Sequence, residues 1–449
     1  MKIVILGGGF GGFYTLKYLH KLFHTYGLKR ISTRINADVK LILVNKKNYF
    51  LFTPLLHEFA TGNVSLENLV EPIREIIKCC DYEFIHGEVK RIDLENKIVE
   101  LNENKIDYDY LVIALGSKTN FYNIPGAEEN SFTLKSLDDA IRLRNHFIHM
   151  FEKYANNLPG YQPDMSPGYK PDKSGSYPGS LSERNPGKIS DNSSAELTFV
   201  IVGGGATGVE LAGEMSDYFY KTFSKFYPKE IISKIKIILI EKGNELIPQF
   251  SPKLRKIAFE VLRKKNVEII LGKGVKEVGK DFIKLDDETI IKTKTVVWTA
   301  GVEPNLPEII GNVEKDNKGR LIVNEYLQVK NYDNVFAVGD VCSFIQNQKP
   351  LPQLAQVAVR QAKAVAKNIF NLIQNKPLEK FVYRHQGDLI SLGRFFAIGE
   401  IKNFTFSGFF AWLLWRGVYL SKLISNKDKI KTFIDWLLDF FYPRDITEI

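Results

Sequence analysis

Lys2-Ile3-Val4-Ile5-Leu6-Gly7-Gly8-Gly9-Phe10-Gly11-Gly12 is the stretch that decides how this chain is read. The β-branched run Lys2 to Leu6 predicts a buried strand, the glycines a tight turn, and Phe13 to Phe23 a helix. The same order returns in Thr198 to Val202, then Gly203-Gly204-Gly205-Ala206-Thr207-Gly208, then a helix from Val209 to about Phe219. The two copies lie 196 positions apart. One such turn has a bland explanation, because a tight strand-to-helix connection wants glycine for steric reasons alone. Two in the same context indicate two dinucleotide-binding units. Gly7 or Gly203 makes the turn, Gly9 or Gly205 admits a pyrophosphate to the backbone, and Gly12 or Gly208 lets helix pack on strand. The helix N-terminus then offers amide donors and the positive end of its dipole.

Each unit should end its second strand on a residue that accepts from an adenosine ribose. Ile237-Ile238-Leu239-Ile240-Glu241 does so 38 residues after Gly203, and its carboxylate favours NADH over NADPH by repelling a 2′-phosphate. Leu41-Ile42-Leu43-Val44-Asn45 ends 38 residues after Gly7 on an amide, which accepts through its carbonyl without charge assistance. Both spacings are long because polar segments, Thr25 to Asp38 and Lys221 to Lys236, follow the helices.

With 449 residues, 44% of them apolar and 25% charged, the chain is large enough for two or three domains, and neither wholesale disorder nor a polytopic membrane protein fits. The longest apolar stretch near the C-terminus, Phe409 to Trp415, is too short to span a bilayer. Met1 runs straight into the first strand, so no export signal is expected. The three cysteines, Cys79, Cys80 and Cys342, suit neither a disulfide framework nor a zinc site, and no metal is expected. Residues 159–194 hold 6 Pro, 5 Gly and 8 Ser, which reads as a mobile surface insertion.

Further strands complete a flavoprotein pattern. Tyr108 to Ser117, with Ala114 and Gly116, and Thr295 to Gly301, with Ala300, both close on small-residue turns. Asn334-Val335-Phe336-Ala337-Val338-Gly339-Asp340 ends on a carboxylate suited to a ribityl hydroxyl. At this point the chain resembles the type II NADH:quinone oxidoreductases, flavoproteins with two dinucleotide-binding domains. The most specific segments are Asn48-Tyr49-Phe50-Leu51-Phe52-Thr53-Pro54-Leu55-Leu56, Thr207-Gly208-Val209-Glu210-Leu211-Ala212-Gly213-Glu214, Leu354-Ala355-Gln356-Val357-Ala358 and Gly408 to Trp415. The likeness covers nearly everything except residues 159–194.

The resemblance implies an α/β fold with two Rossmann-like dinucleotide-binding domains, one for FAD and one for NADH, plus a C-terminal amphipathic membrane-anchoring region. The FAD domain is assigned to 1–120 and 300–375, the NADH domain to 121–299, and the membrane region to 376–449. FAD would be held by Gly7, Gly9, Phe10, Gly11, Gly12, Asn45, Lys46, Pro54, Val89, Ala114, Gly116, Asp340 and Ala355. NADH, the substrate, would be held by Gly203, Gly205, Gly208, Glu241, Ala300 and Gly301. Glu210 would sit near the nicotinamide and flavin, although a helix-N-terminal acid favoured by the dipole is its bland reading. Gln356 and Gln361 would donate to quinone carbonyls, or be ordinary solvated helix glutamines. Arg360 stands where the family usually has Gln or His.

The implied activity is hydride transfer from NADH to flavin, then two electrons to a membrane quinone without proton pumping. A sulfide:quinone oxidoreductase and a catalytically silent flavin-binding redox sensor are the alternatives. Disulfide reductases of this fold need a cysteine pair soon after the first glycine turn, and no cysteine precedes Cys79. From Lys402 to Lys431 six basic residues face one acid, Asp428, and Ile430, Phe433, Ile434, Leu437 and Phe441 repeat at helical spacing. Residues 404–449 therefore read as an interfacial anchor for anionic lipid, with Trp412, Trp415 and Trp436 supplying buried area. The expected setting is a peripheral protein on the cytoplasmic face of the cell membrane, or the inner face of an organelle membrane. A homodimer is expected and nucleic acid is not.

Overall fold

The computed structural model describes residues 1–25, 39–76, 82–156, 195–402 and 404–449. The 159–194 insertion, Cys79, Cys80 and most of the first polar segment lie outside them. The described chain forms two compact units. One comprises Met1–Leu51, Val70–Lys118 and Val302–His385; the other comprises Phe52–Leu69, Thr119–Gly301 and Gln386–Ile449.

The first unit is built on a five-stranded parallel sheet, in the order Val335–Ala337, Tyr110–Ile113, Lys2–Leu6, Lys40–Asn45, Tyr82–His86. Its central strands Lys2–Leu6 and Lys40–Asn45 read as nearly continuous Val/Ile/Leu runs because both faces are covered, and Ile3, Val4, Ile5 and Leu6 are fully buried. The helix Phe10–Thr25 starts earlier than Phe13, with Gly11 and Gly12 inside its first turn, and packs on the long helix Ala355–Ile373.

The second unit repeats the plan in a four-stranded parallel sheet: Val267–Leu271, Lys236–Glu241, Thr198–Val202, Thr295–Trp298. The registers correspond. Leu6 pairs with Val44 and Ile113, and Val202 pairs with Ile240 and Trp298, so each glycine turn leaves its sheet between the same two neighbours. The helix Ala206–Asp217 follows the second turn and continues into a π-helical turn, Tyr218–Thr222. This unit also carries a three-stranded antiparallel sheet, Asp388–Ser391, Ala397–Ile401 and Phe404–Gly408, and two C-terminal helices, Phe409–Lys422 and Asn426–Leu438. Among the described residues no helix is long and apolar enough to cross a membrane.

Candidate active site

The two glycine turns are nearly superposable in their chemistry. Gly7 and Gly203 adopt φ +101° and +111°, a region that favours glycine. A Cβ on Gly12 would lie 1.8 Å from the Gly7 carbonyl oxygen, and one on Gly208 would lie 1.9 Å from that of Gly203. A Cβ on Gly9 or Gly205 would meet nothing, so the backbone is open at the position where a pyrophosphate approaches. Both cradles therefore fit a dinucleotide.

The strand-end residues close these turns. Glu241 accepts through Oε2 from the Gly204 amide and through Oε1 from the Gly243 amide, each at 2.6 Å. Asn45 does the matching job in the first unit: Oδ1 accepts from the Gly8 amide at 2.9 Å, and Nδ2 donates to the Lys47 carbonyl at 2.8 Å. The second bond gives the amide a physical reason, since a carboxylate has no hydrogen to donate there. Elsewhere around the first cradle, the Phe10 and Phe50 rings meet edge-on at 5.1 Å. The Lys46 carbonyl lies 3.0 Å from His86 Nε2. Val89 opens a strand opposite Leu101, and Ala114 is buried directly after Ile113. Pro54 falls in the second unit, in a 3₁₀ turn over Thr53–Leu55. In that unit the Tyr122 hydroxyl donates to the Ala300 carbonyl at 3.3 Å, against Gly301.

Asp340 sits on the turn Gly339–Val341 after the Val335–Ala337 strand, and its Oδ2 accepts from the Ser117 hydroxyl at 2.5 Å. Gln361 holds this turn. Its side chain is 1% exposed, its Oε1 accepts from the Gly339 amide at 2.8 Å, and its Nε2 points to Cys342 Sγ at 3.5 Å. Gln356 is half-buried beside Ala355 in the first turn of the same helix. Five residues turn an α-helix by roughly 140°, so the two glutamines do not share a face. The Arg360 guanidinium donates to the Arg384 carbonyl and lies 5.2 Å from the centre of the Tyr383 ring.

Glu210, in the second turn of the Ala206–Asp217 helix, is buried. Its Oε1 accepts from the Ser391 amide at 3.2 Å. Burial pushes its carboxyl up to about 8, and the neighbouring Glu214 and Glu58 add to the rise. Desolvation is the largest influence on this carboxyl.

Sequence reasoning did not single out the residues around it. Ser391 also reaches Glu214 Oε1 through its hydroxyl at 3.4 Å. Arg444 Nη1 pairs with Glu214 Oε2 at 2.7 Å, and Trp436 Nε1 donates to Glu58 Oε2 at 2.7 Å. Glu214 ends one quoted motif and Glu58 follows another by two residues, yet only the folded chain reveals that they are buried.

The C-terminal helices correct one expectation. Trp412, Trp415 and Trp436 are buried within their own unit and are not part of an exposed anchor face. The Arg416 guanidinium, also buried, lies 4.2 Å from the Trp412 ring centre and 4.5 Å from that of Trp436. Exposed instead are Phe410 (82%), Phe441 (74%), Ile430 (61%), Phe433, Ile434 and Leu437.

The family model of the pyridine nucleotide-disulphide oxidoreductases matches residues 1–362, and that of the NDH2 C-terminal domain matches residues 385–445. A type II NADH:quinone oxidoreductase of Mycobacterium tuberculosis is 31% identical, over 99% of this chain and 89% of its own. This chain belongs to the type II NADH:quinone oxidoreductase family. A probable NADH dehydrogenase of Dictyostelium discoideum is 33% identical over 99% of this chain and 91% of its own. The solved structure of NDH2 from Plasmodium falciparum in complex with NADH shares the fold, with a TM-score of 0.83 at 23% identity over 99% of both chains. Cys342 opens the short strand after the Gly339–Val341 turn. The thiol is buried, burial pushes it up to about 12, and it is the only cysteine among the described residues.

Proposed function

We propose that this chain oxidises NADH and passes two electrons through FAD to a membrane quinone, without pumping protons. The carrying observation is the pair of matched glycine cradles, each closed by a polar strand-end residue, in a chain of this family. FAD supplies hydride acceptance and electron release when bound.

The assignments follow from what each residue does. The first cradle, with Asn45, Asp340 and Ser117, holds the flavin nucleotide, and FAD binding is assigned to the first unit. The second cradle, with Glu241, Ala300 and Gly301, orients NADH. Glu210, neutral at ordinary pH, holds a proton in a dry site. Gln356 contacts the quinone, and Gln361 supports the Gly339–Asp340 turn from inside. The exposed Phe410, Phe433 and Phe441, together with Lys422, Lys427 and Lys429, dock the chain on anionic lipid as a peripheral protein on the cytoplasmic or equivalent inner face. The chain works as a homodimer.

The test is to measure NADH oxidation by the flavin-loaded protein with a water-soluble quinone. Turnover with NADH supports the reading. Turnover with sulfide in place of NADH would favour a sulfide:quinone oxidoreductase, and flavin binding with no turnover would favour a redox sensor.

A further inference from the structure

The reaction proposed above moves a hydride, two electrons and one proton, from NADH to a quinone. Quinol needs one more proton, taken from water, so NADH, one proton and quinone give NAD⁺ and quinol. We propose that Glu58 is a positioning residue that shares this proton with Glu210, the two carboxyls acting as one proton-loading pair. The proposal rests on the NADH:quinone reading and adds a residue to it.

The geometry is within the second unit. Glu58 lies on the short helix Leu56–Ala60, which packs on the Ala206–Asp217 helix carrying Glu210 and Glu214. Glu58 is 1% exposed. Its Oε2 accepts from Trp436, whereas its Oε1 accepts no hydrogen bond and has Arg416 Nη2 3.9 Å away. A buried oxygen without a donor is costly as an anion and acceptable as a protonated carboxyl. Glu214 differs, being paired at 2.7 Å with Arg444, which also stands against Asp439 and Thr61. Glu214, with Arg444 against it, therefore stands beside both acids. Ser391 ties Glu210 and Glu214 together through its amide and hydroxyl.

Burial pushes Glu58 up to about 7 against the pull of Arg416, and Glu210 up to about 8. His57 and Tyr419, which also face the pair, do not change protonation across this range. Burial holds His57 down to about 3 and drives Tyr419 well above its ordinary value. Two interacting acids then release their protons in two steps that belong to the pair. A cavity of about 160 Å³, lined among others by Asn63, Asp439 and Arg444, lies on the Arg444 side of the cluster.

The experiment uses the FAD-loaded full chain. Infrared titration of the resting protein between about pH 6 and 9 should show protonated carboxyl bands that disappear in two steps, and Glu58→Gln should leave a single step. This isosteric variant retains an acceptor for Trp436 and removes the anion beside Glu210. The alkaline fall in quinone turnover should therefore move to lower pH by about one unit. Trp436→Phe removes a donor that favours the Glu58 carboxylate, and it should move the same fall to higher pH. Opposite shifts are not what a merely structural Glu58 would give. No protonated carboxyl band in the wild type, or unshifted pH profiles in both variants, would overturn the pair while leaving NADH:quinone turnover standing. A two-step infrared titration in a protein that does not turn over would overturn the reaction reading instead, and with it the use of the proton.

Discussion

At the scale of single residues, Asn45 and Glu241 show how one position in a repeated motif takes two chemistries. Both accept from the amide that follows the first glycine of the turn, but only Asn45 donates onward, to the Lys47 carbonyl. Asn45→Asp should keep the Gly8 bond and set an anion against a carbonyl oxygen. The expected cost is about 1 kcal/mol, read as a lower denaturation midpoint of the flavin-free protein. Glu241→Gln should raise KM for NADH by about 5- to 30-fold, the equivalent of about 1–2 kcal/mol. It should also narrow the preference over NADPH, because the 2′-phosphate no longer meets a carboxylate. An unchanged NADH to NADPH ratio would remove Glu241 from the ribose site. Gln361→Ala should loosen the Gly339–Asp340 turn and leave a cavity, at about 2–3 kcal/mol. Faster FAD loss on gel filtration would report it. A variant that keeps FAD as the wild type does but is slow only with quinone would return Gln361 to direct quinone contact.

At the scale of elements, the two C-terminal helices each divide their residues between two tasks. One side buries Trp412, Trp415, Arg416 and Trp436, and the other exposes phenylalanine, leucine and isoleucine. Deleting 404–449 is therefore a poor test of membrane binding. It would strip Trp436 from Glu58 and Arg444 from Glu214, and breaking the buried Glu214–Arg444 ion pair alone would cost about 3–5 kcal/mol. The cleaner variant is Phe410→Ser, Phe433→Ser and Phe441→Ser together. These exposed positions should each change stability by no more than about 0.5 kcal/mol and together reduce the bound fraction in liposome sedimentation. High salt should weaken wild-type binding without abolishing it, because screening acts on the lysines and not on the apolar area. Sedimentation of the triple variant equal to that of the wild type would place the docking surface elsewhere.

At the scale of the whole molecule, the buried ionisable groups give stability a definite pH dependence. Glu58 and Glu210 titrate near 7 and 8 when folded and from the ordinary value of 4.5 when unfolded, so the folded state holds more protons between those limits. Stability must then fall as pH rises through that window. His57, held down to about 3 from 6.5, and Asp217, held near 2 by Lys265 and Lys221 despite its burial, act in the opposite sense. Their contributions are lost on acidification, from about 6.5 for His57 and about 4 for Asp217. Above the range of His57 and of His146, which burial lowers to about 4 from 6.5, the two acids dominate among the described residues, and the unfolding temperature should drop as pH rises to about 8. Glu210→Gln should flatten that drop. A Glu210→Gln profile parallel to that of the wild type would show that Glu210 is ionised throughout.

Local pattern and tertiary packing divided the work along a physical line. The sequence by itself determined the parallel sheets, the two glycine turns and their polar strand ends, because these depend on short-range requirements: continuous burial of a strand, a positive φ, a carbonyl too close for a Cβ. Glu210 was also visible, inside its motif. Only the folded chain decided that its carboxyl is buried and pushed up, that Glu58, Glu214 and Arg444 gather around it, that Gln361 turns inward, and that the tryptophans face the core while the phenylalanines face out. Each of these depends on desolvation or on which face of a helix meets a partner. A neighbour such as Arg444, 230 positions from Glu214, leaves no trace in local spacing.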